Sequence, residues 1–370
     1  MTNRERTLNI LNYKACDRLP AVHFGYWREL LDEWVLQGHI TRELKEAHCD
    51  CNEADFELDK RLGWDYEWAP VFGGKNSLSP PFEYKVLEKL PGGFLRVQNP
   101  DGLIERVKEG VHGIPAEDDY QLKDRDAYEK LYKWRIQWSE DRLDVDAFTA
   151  RYKSFDADMP RGFSIGSCLG SIRNFLSVIG LSYMIFDDYG LLKEIVDTYA
   201  EMQYRVAEKA LATGLEFDFA HYWEDICFKN GPLCSPEIVE ELTAHNYRKM
   251  SALFKRHGVE IISLDCDGVI DSLVPIWLDN GINTMFPIEY GTWQASIASW
   301  RKKYGKGLKG VGGVNKNVFL RDKAAVDAEI ERLKPLIALG GYLPCPDHRL
   351  MPGTKWELIQ YYTDKIKNKI

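Results

Sequence analysis

The chain has 370 residues and a formal net charge of −9, with 48 Lys and Arg against 57 Asp and Glu, and no basic stripe of the kind that binds a phosphate backbone. Nucleic acid is excluded as the main partner. Its 45% hydrophobic and 28% charged residues suit a soluble globular enzyme. No run approaches the roughly 18 apolar residues of a membrane span, so no membrane partner is expected.

In chain order, "MTNRERTLNILNYK" opens with Thr2 and Glu5 at capping-box spacing and reads as an amphipathic helix. It lacks the apolar stretch of a signal peptide, and a cytoplasmic protein is expected. The eight cysteines, at 16, 49, 51, 168, 227, 234, 266 and 345, are then expected to be reduced. Cys49 and Cys51 in "HCDC" are not spaced as CxxC and no second pair follows, so they read as loop thiols rather than a metal site.

Eight apolar runs end in polar or small residues. They are "LPAVHFG" (19–25), "WDYEWAPV" (64–71), "GFSIGS" (162–167), "FDFAHYWED" (217–225), "EIISLDCDG" (260–268), "INTMFPIE" (282–289), "LKGVGGV" (308–314) and "GYLPCPDH" (341–348). Such runs mark buried parallel strands. Helical patterns closing on glycine lie between most of them, as in residues 189–214, 235–258, 269–281 and 323–341. Eight strands alternating with helices predict a single (β/α)8 barrel over residues 1–370.

One segment breaks the rhythm. Residues 82–110 alternate apolar and polar around "PGG" and "NPDG", which predicts a three-stranded antiparallel meander. Together with the charged helical stretch that follows, it forms an insertion after the second strand, residues 72–160.

Chemistry in such a barrel gathers at the strand ends. Those ends supply His23 and Tyr26, Tyr66 and Trp68, Cys168, then His221, Tyr222, Glu224 and Asp225, Asp265 and Asp267, Glu289, Asn315 and Lys316, Cys345, Asp347 and His348. Acids are seldom buried unless paired, protonated or metal-bound. Several of these residues also have a structural reading: Asp225 as a helix cap, His221 as a core histidine, Lys316 as a solvated charge, Cys345 as packing. Asp265 and Asp267 share one side of their strand while Cys266 points to the other.

At these residues the sequence resembles the uroporphyrinogen decarboxylase superfamily, which includes corrinoid-linked methyltransferases. The resemblance covers almost the whole chain. It is carried by "NILNYKACDRLPA", "WEDICFKNGPLCSPE", "LDCDGVIDSLVPIWLDNGINTMFPIE", "GGVNK" and "GGYLPCPDHRLMPG", and it implies the same barrel. The decarboxylases' N-terminal arginine cluster is replaced here by "HFGYWRELLDEW", with Arg28 alone, which argues against porphyrinogen decarboxylation. The methyltransferases hold zinc with an HxC pair and a cysteine in the last loop. Those positions fall on Asp265, Asp267 and His348.

Two carboxylates and an imidazole make a harder site than thiolates do, suited to activating an oxygen. The resemblance therefore implies the substrate-side methyltransferase of an O-demethylase, passing a methyl group from a methyl ether to a Co(I) corrinoid (cobalamin) on a partner protein. The chain lacks the DxHxxG signature of a corrinoid carrier. Asp265, Asp267, Glu224 and His348 are expected to hold Zn²⁺ or to protonate the leaving oxygen. Tyr26, Tyr66, Trp68, His221, Tyr222 and Glu289 are expected to bind the small-molecule methyl donor. Decarboxylation of a small or tetrapyrrole acid and a non-catalytic ligand-binding barrel stand as alternatives, and a homodimer is compatible with all three.

Overall fold

The computed structural model describes residues 1–108, 110–111 and 115–368. It is a mixed α/β protein. The strands in chain order are β1 Val22–His23, β2 Tyr66–Glu67, β3 Lys85–Leu90, β4 Phe94–Gln98, β5 Leu103–Lys108, β6 Ala116–Tyr120, β7 Gly162–Gly166, β8 Phe219–Trp223, β9 Cys227–Phe228, β10 Gly231–Pro232, β11 Ile261–Asp265, β12 Thr284–Phe286, β13 Lys309–Val314 and β14 Tyr342–Pro346. Each of the eight runs named above holds one parallel strand.

Six of these form one parallel sheet in the order β14-β13-β12-β11-β8-β7, and β1 pairs in parallel with β2 alone. Among the described residues, one continuous closed sheet, as the barrel expectation requires, is not formed. The interruption has a local cause: β1 is two residues long, between Pro20 and a left-handed Gly25 (φ 85°), and β2 ends just before Pro70, which has no N–H to donate. Isolated bridges cross both gaps, Tyr26 with Leu350 and Phe72 with Phe163.

The inner face of the six-stranded sheet alternates with an outer face packed on helices. Tyr222 and Leu264 are buried outward, Tyr222 against Tyr247 of the helix Pro236–Arg256 with ring centroids 5.3 Å apart. The helices Tyr189–Leu211, Pro236–Arg256, Val274–Asp279 and Lys323–Ile337 fall inside the four predicted helical stretches. Thr2 and Glu5 make the capping box at the helix Asn3–Leu11. No single helix among the described residues is long and apolar enough to cross a membrane.

The antiparallel segment follows β2 and has four strands, β3-β4-β5-β6, rather than three. The additional strand, Ala116–Tyr120, is rich in acids and lacked the alternation that marks the others. Behind this sheet the chain returns through residues 125–154, and a buried arginine ties the return to the segment after β2. Arg142 donates to the carbonyls of Lys75 (2.7 Å), Ser77 (2.9 Å), Gln137 (2.8 Å) and Arg135. Arg142→Met leaves the carbonyls of Lys75, Ser77 and Gln137 without this donor and is expected to cost about 4 kcal/mol in urea denaturation.

Candidate active site

A cavity of about 320 Å³ opens at the carboxyl ends of β2, β8, β11 and β12, where Phe24, Trp68, Trp223 and Phe286 give it aromatic walls. The register puts Trp223, Asp265 and Phe286 side by side on β8, β11 and β12. Trp68 lies flat on Phe219, with ring centroids 4.2 Å apart and planes at 13°. Alternation along each strand decides which of the expected residues reach this space.

Asp265 does. It is 8% exposed and lines the cavity. Burial raises its carboxyl well above the ordinary range, and the nearby Asp267 and Asp225 add to the shift while Arg349 opposes it. His221 also lines the cavity, with Nδ1 3.1 Å from Ser263 Oγ. Burial lowers its imidazole to about 3, so it stays neutral. Trp68 lines the cavity as expected. Asp267 and His348 stand at the rim with Oδ2 and Nε2 3.3 Å apart, and Trp27 stacks on the His348 ring at 5.9 Å and 8°. Glu289 is nearby but engaged, accepting from Gly268 N at 2.5 Å and from Trp293 Nε1.

Four expectations need correcting. Glu224 is one residue out of phase with Trp223 and turns away from the cavity. Its carboxylate accepts from Ser167 Oγ (2.7 Å), Tyr247 OH (2.6 Å) and the backbone N–H groups of Cys168 (2.7 Å), Leu169 (2.9 Å) and Gly170 (2.8 Å). It is a buried acid at the start of the helix Gly170–Asp187, engaged by five donors. Tyr222 points outward because its neighbour His221 points in. Tyr66 points to the helix Asn3–Leu11, where its hydroxyl meets Thr7. Tyr26 is buried among the rings of His23, Trp34 and His48.

Reasoning from strand ends missed Glu67, Cys51, Asp50 and Arg349, all of which line the cavity. Glu67 is the inward partner of the outward Tyr66, so strict alternation would have found it. Cys51 donates its N–H to Glu67 Oε2 at 3.1 Å and its thiol to the same oxygen at 3.4 Å. Burial, with Asp50 adding to it, raises the Glu67 carboxyl to about 8. Arg349 pairs with both oxygens of Asp50, Nη1 to Oδ1 at 3.0 Å.

The expected zinc set does not fit this geometry. Asp267 and His348 supply two donors, but Glu224 is fully engaged elsewhere. Among the described residues, Asp265 does not join that pair in a set with all donor atoms within 4.8 Å of one another. Among the described residues, the sets with three donor atoms within 4.8 Å of one another are His23, Asp55 and Asp59, and Cys51, Asp55 and Glu67. Contacts within the protein engage both, a charge pair in the first and hydrogen bonds in the second. His23 Nδ1 accepts from Gly25 N at 2.9 Å, which leaves the proton on Nε2, 2.7 Å from Asp59 Oδ1. In the second set, Asp55 Oδ2 and Glu67 Oε2 both converge on Cys51 N–H, at 3.1 Å each.

Two measurements separate the roles of these acids. Glu224→Gln sets an amide NH₂ against N–H donors, and unfolding stability is expected to fall by about 3 kcal/mol. For Asp265 the unfolded chain releases the proton near pH 3.9 while the folded chain keeps it, so stability falls as pH rises from there to the raised folded pKa. Asp265→Asn is expected to remove that loss and to be more stable than the wild type at neutral pH, in denaturant titrations run across pH.

No protein-family model matches the chain, and no curated protein matches it. A solved structure of a methyltransferase from Methanosarcina mazei superposes with a TM-score of 0.62 at 13% identity, over 99% of this chain and 98% of that one. A putative vitamin-B12 independent methionine synthase from Listeria monocytogenes superposes with a TM-score of 0.38 at 14% identity, over 62% of this chain and 70% of that one. The full-length likeness to the first is one of fold.

Proposed function

We propose that the protein is the substrate-side methyltransferase of a cytoplasmic O-demethylase, built on a (β/α)8 barrel whose ladder is interrupted at its first two strands. It takes the methyl group of an aryl methyl ether, and a reduced corrinoid on a partner protein supplies the nucleophile that accepts it. The observation that carries this reading is Asp265, a buried carboxyl that keeps its proton, on the wall of a cavity lined by aromatic rings. The neighbour of the same fold is itself named a methyltransferase, which agrees with it.

The chemical demand is on the leaving group. When the C–O bond of an aryl ether breaks, its electron pair goes to oxygen, and an unprotonated aryloxide leaves poorly. Asp265 answers that demand by giving its proton to the oxygen as the bond breaks. Trp68, Phe24 and Phe286 hold the ring by its faces and edges, and their apolar surface keeps bulk water from competing for the proton. The neutral His221 places no positive charge beside the acid, so it does not promote early release of the proton. No step requires a metal ion at Asp265.

Mixing the enzyme with a methoxyarene and a corrinoid protein in the Co(I) state is expected to give methyl-cobalt absorbance. Asp265→Asn is expected to lower the rate by roughly a hundredfold. Because the acid form is the active one, the wild-type rate should hold at low pH and fall as pH rises through the raised pKa. Demethylation without a corrinoid protein, or an Asp265→Asn enzyme as fast as the wild type, would overturn the reading.

A further inference from the structure

Gly25 sits at the close approach of two side chains from distant parts of the chain. A Cβ at this position would lie 2.7 Å from Arg349 Nη1 and 3.0 Å from Glu67 Oε1, so the two groups face each other across bare backbone. The separation is bounded by those distances at under about 6 Å. Among the described residues, the ion pair that Arg349 makes is with Asp50, not with Glu67. The gap is thus too wide for direct contact. One oxygen atom accepting two hydrogen bonds of about 2.8 Å each spans just such a gap.

Both groups have donors left for that oxygen. A guanidinium carries five N–H bonds, and Asp50 takes two of those on Arg349. Glu67 Oε2 already accepts from the Cys51 N–H and thiol, so a proton on this carboxyl resides on Oε1, the atom beside Gly25. Arg349, Glu67 and Asp265 all line the same cavity. Asp50, the anion that partly neutralises Arg349, has its side chain 39% exposed, so solvent screens it and the guanidinium keeps much of its field toward the interior.

We propose that Arg349 and Glu67 form an oxyanion-binding pair that takes the phenolate-type oxygen of an aromatic ligand, over the bare backbone of Gly25. This deepens the methyl-transfer reading and rests on it for the ligand class, since the leaving group of that reaction is such an oxygen. As the C–O bond breaks and the electron pair moves onto oxygen, the hydrogen bonds from the Arg349 N–H and the Glu67 O–H to that oxygen shorten, and Asp265 gives it the proton that completes the phenol as the bond breaks. Donors fixed before the charge develops need no reorganisation when it does.

The experiment uses 4-nitrophenol, whose phenol and phenolate forms differ in colour, with 4-nitroanisole as its uncharged counterpart. Bound to the wild-type protein, 4-nitrophenol should have its pKa lowered by about one unit or more, so that phenolate binds roughly tenfold tighter than phenol. Arg349→Gln should weaken phenolate binding by roughly tenfold or more while 4-nitroanisole changes less than about threefold. Asp50→Ala lies at the surface and should fold normally. By freeing the guanidinium it should tighten phenolate binding. Equal affinity of the wild type for phenol and phenolate, or a phenolate Kd unmoved in both Arg349→Gln and Asp50→Ala, would overturn the proposal. The methyl-cobalt assay is independent of this one: selective phenolate binding without methyl transfer would leave the oxyanion pair standing and remove the reaction, and the converse would remove the pair alone.

Discussion

Carboxyl groups crowd the mouth of this protein, and they cannot all be ionised together. Asp50, Glu67, Asp225, Asp265, Asp267 and Glu289 gather around one cavity, and the basic groups that meet them are Arg349 on Asp50, Arg173 on Asp225 and His348 on Asp267. Two like charges about 4 Å apart repel by about 4 kcal/mol at the effective dielectric near a protein surface. Among the described residues, Asp265, Glu67 and Glu289 are buried with no cation in contact, and burial raises the carboxyl of each, that of Glu67 to about 8. What is assigned to the cavity follows from the contrast between acids that meet a basic group and acids that burial holds toward the protonated form.

Strand alternation makes the contrast possible, because it sends residues of like chemistry to opposite fates. Glu224 and Asp265 end neighbouring parallel strands, and a backbone hydrogen bond of 2.7 Å runs from Glu224 N to Asp265 O. Asp265 points inward, where there is little to solvate a charge. Glu224 points outward, where a helix start, a serine and a tyrosine all donate to it. Its attachment also fixes the loop Ser167–Gly170 and the helix Pro236–Arg256 behind the cavity, so the outward acid supports the wall that the inward acid uses.

Much of this was legible in the sequence, and the errors have a common origin. The eight strand runs, the four long helical patterns and the antiparallel segment all came from periodicity, which local composition encodes directly. Asp265, His221 and Trp68, which line the cavity, stand out in the sequence because they lie at the ends of apolar runs. Tyr222, Tyr66 and Glu224 were misplaced because the strand-end criterion takes every polar or aromatic residue near the end, although neighbours such as His221 and Tyr222 cannot both face in. Glu67 was hidden between Tyr66 and Trp68, where the aromatics drew attention away from the acid. Cys51 and Arg349 were hidden for a different reason. Each lies in a loop, and their convergence on the cavity depends on contacts between segments about 300 residues apart, which no local pattern reports.

That convergence rests on how the first and last strands meet. Between β1 and β14 there is no extended ladder, only the bridge of Tyr26 with Leu350, made by Leu350 N to Gly25 O at 3.0 Å and Trp27 N to Leu350 O at 2.9 Å. A side chain at position 25 would collide with Arg349 and Glu67, and φ of 85° would be strained for it. The glycine therefore does two things at once: it allows the turn by which β1 leaves the sheet, and it opens the space in which a guanidinium from one end of the chain faces a carboxyl from the other. A short first strand costs ladder hydrogen bonds, but it lets the backbone at Gly25 turn aside just where the cavity begins. The break in the sheet and the oxygen-sized gap are consequences of the same residue.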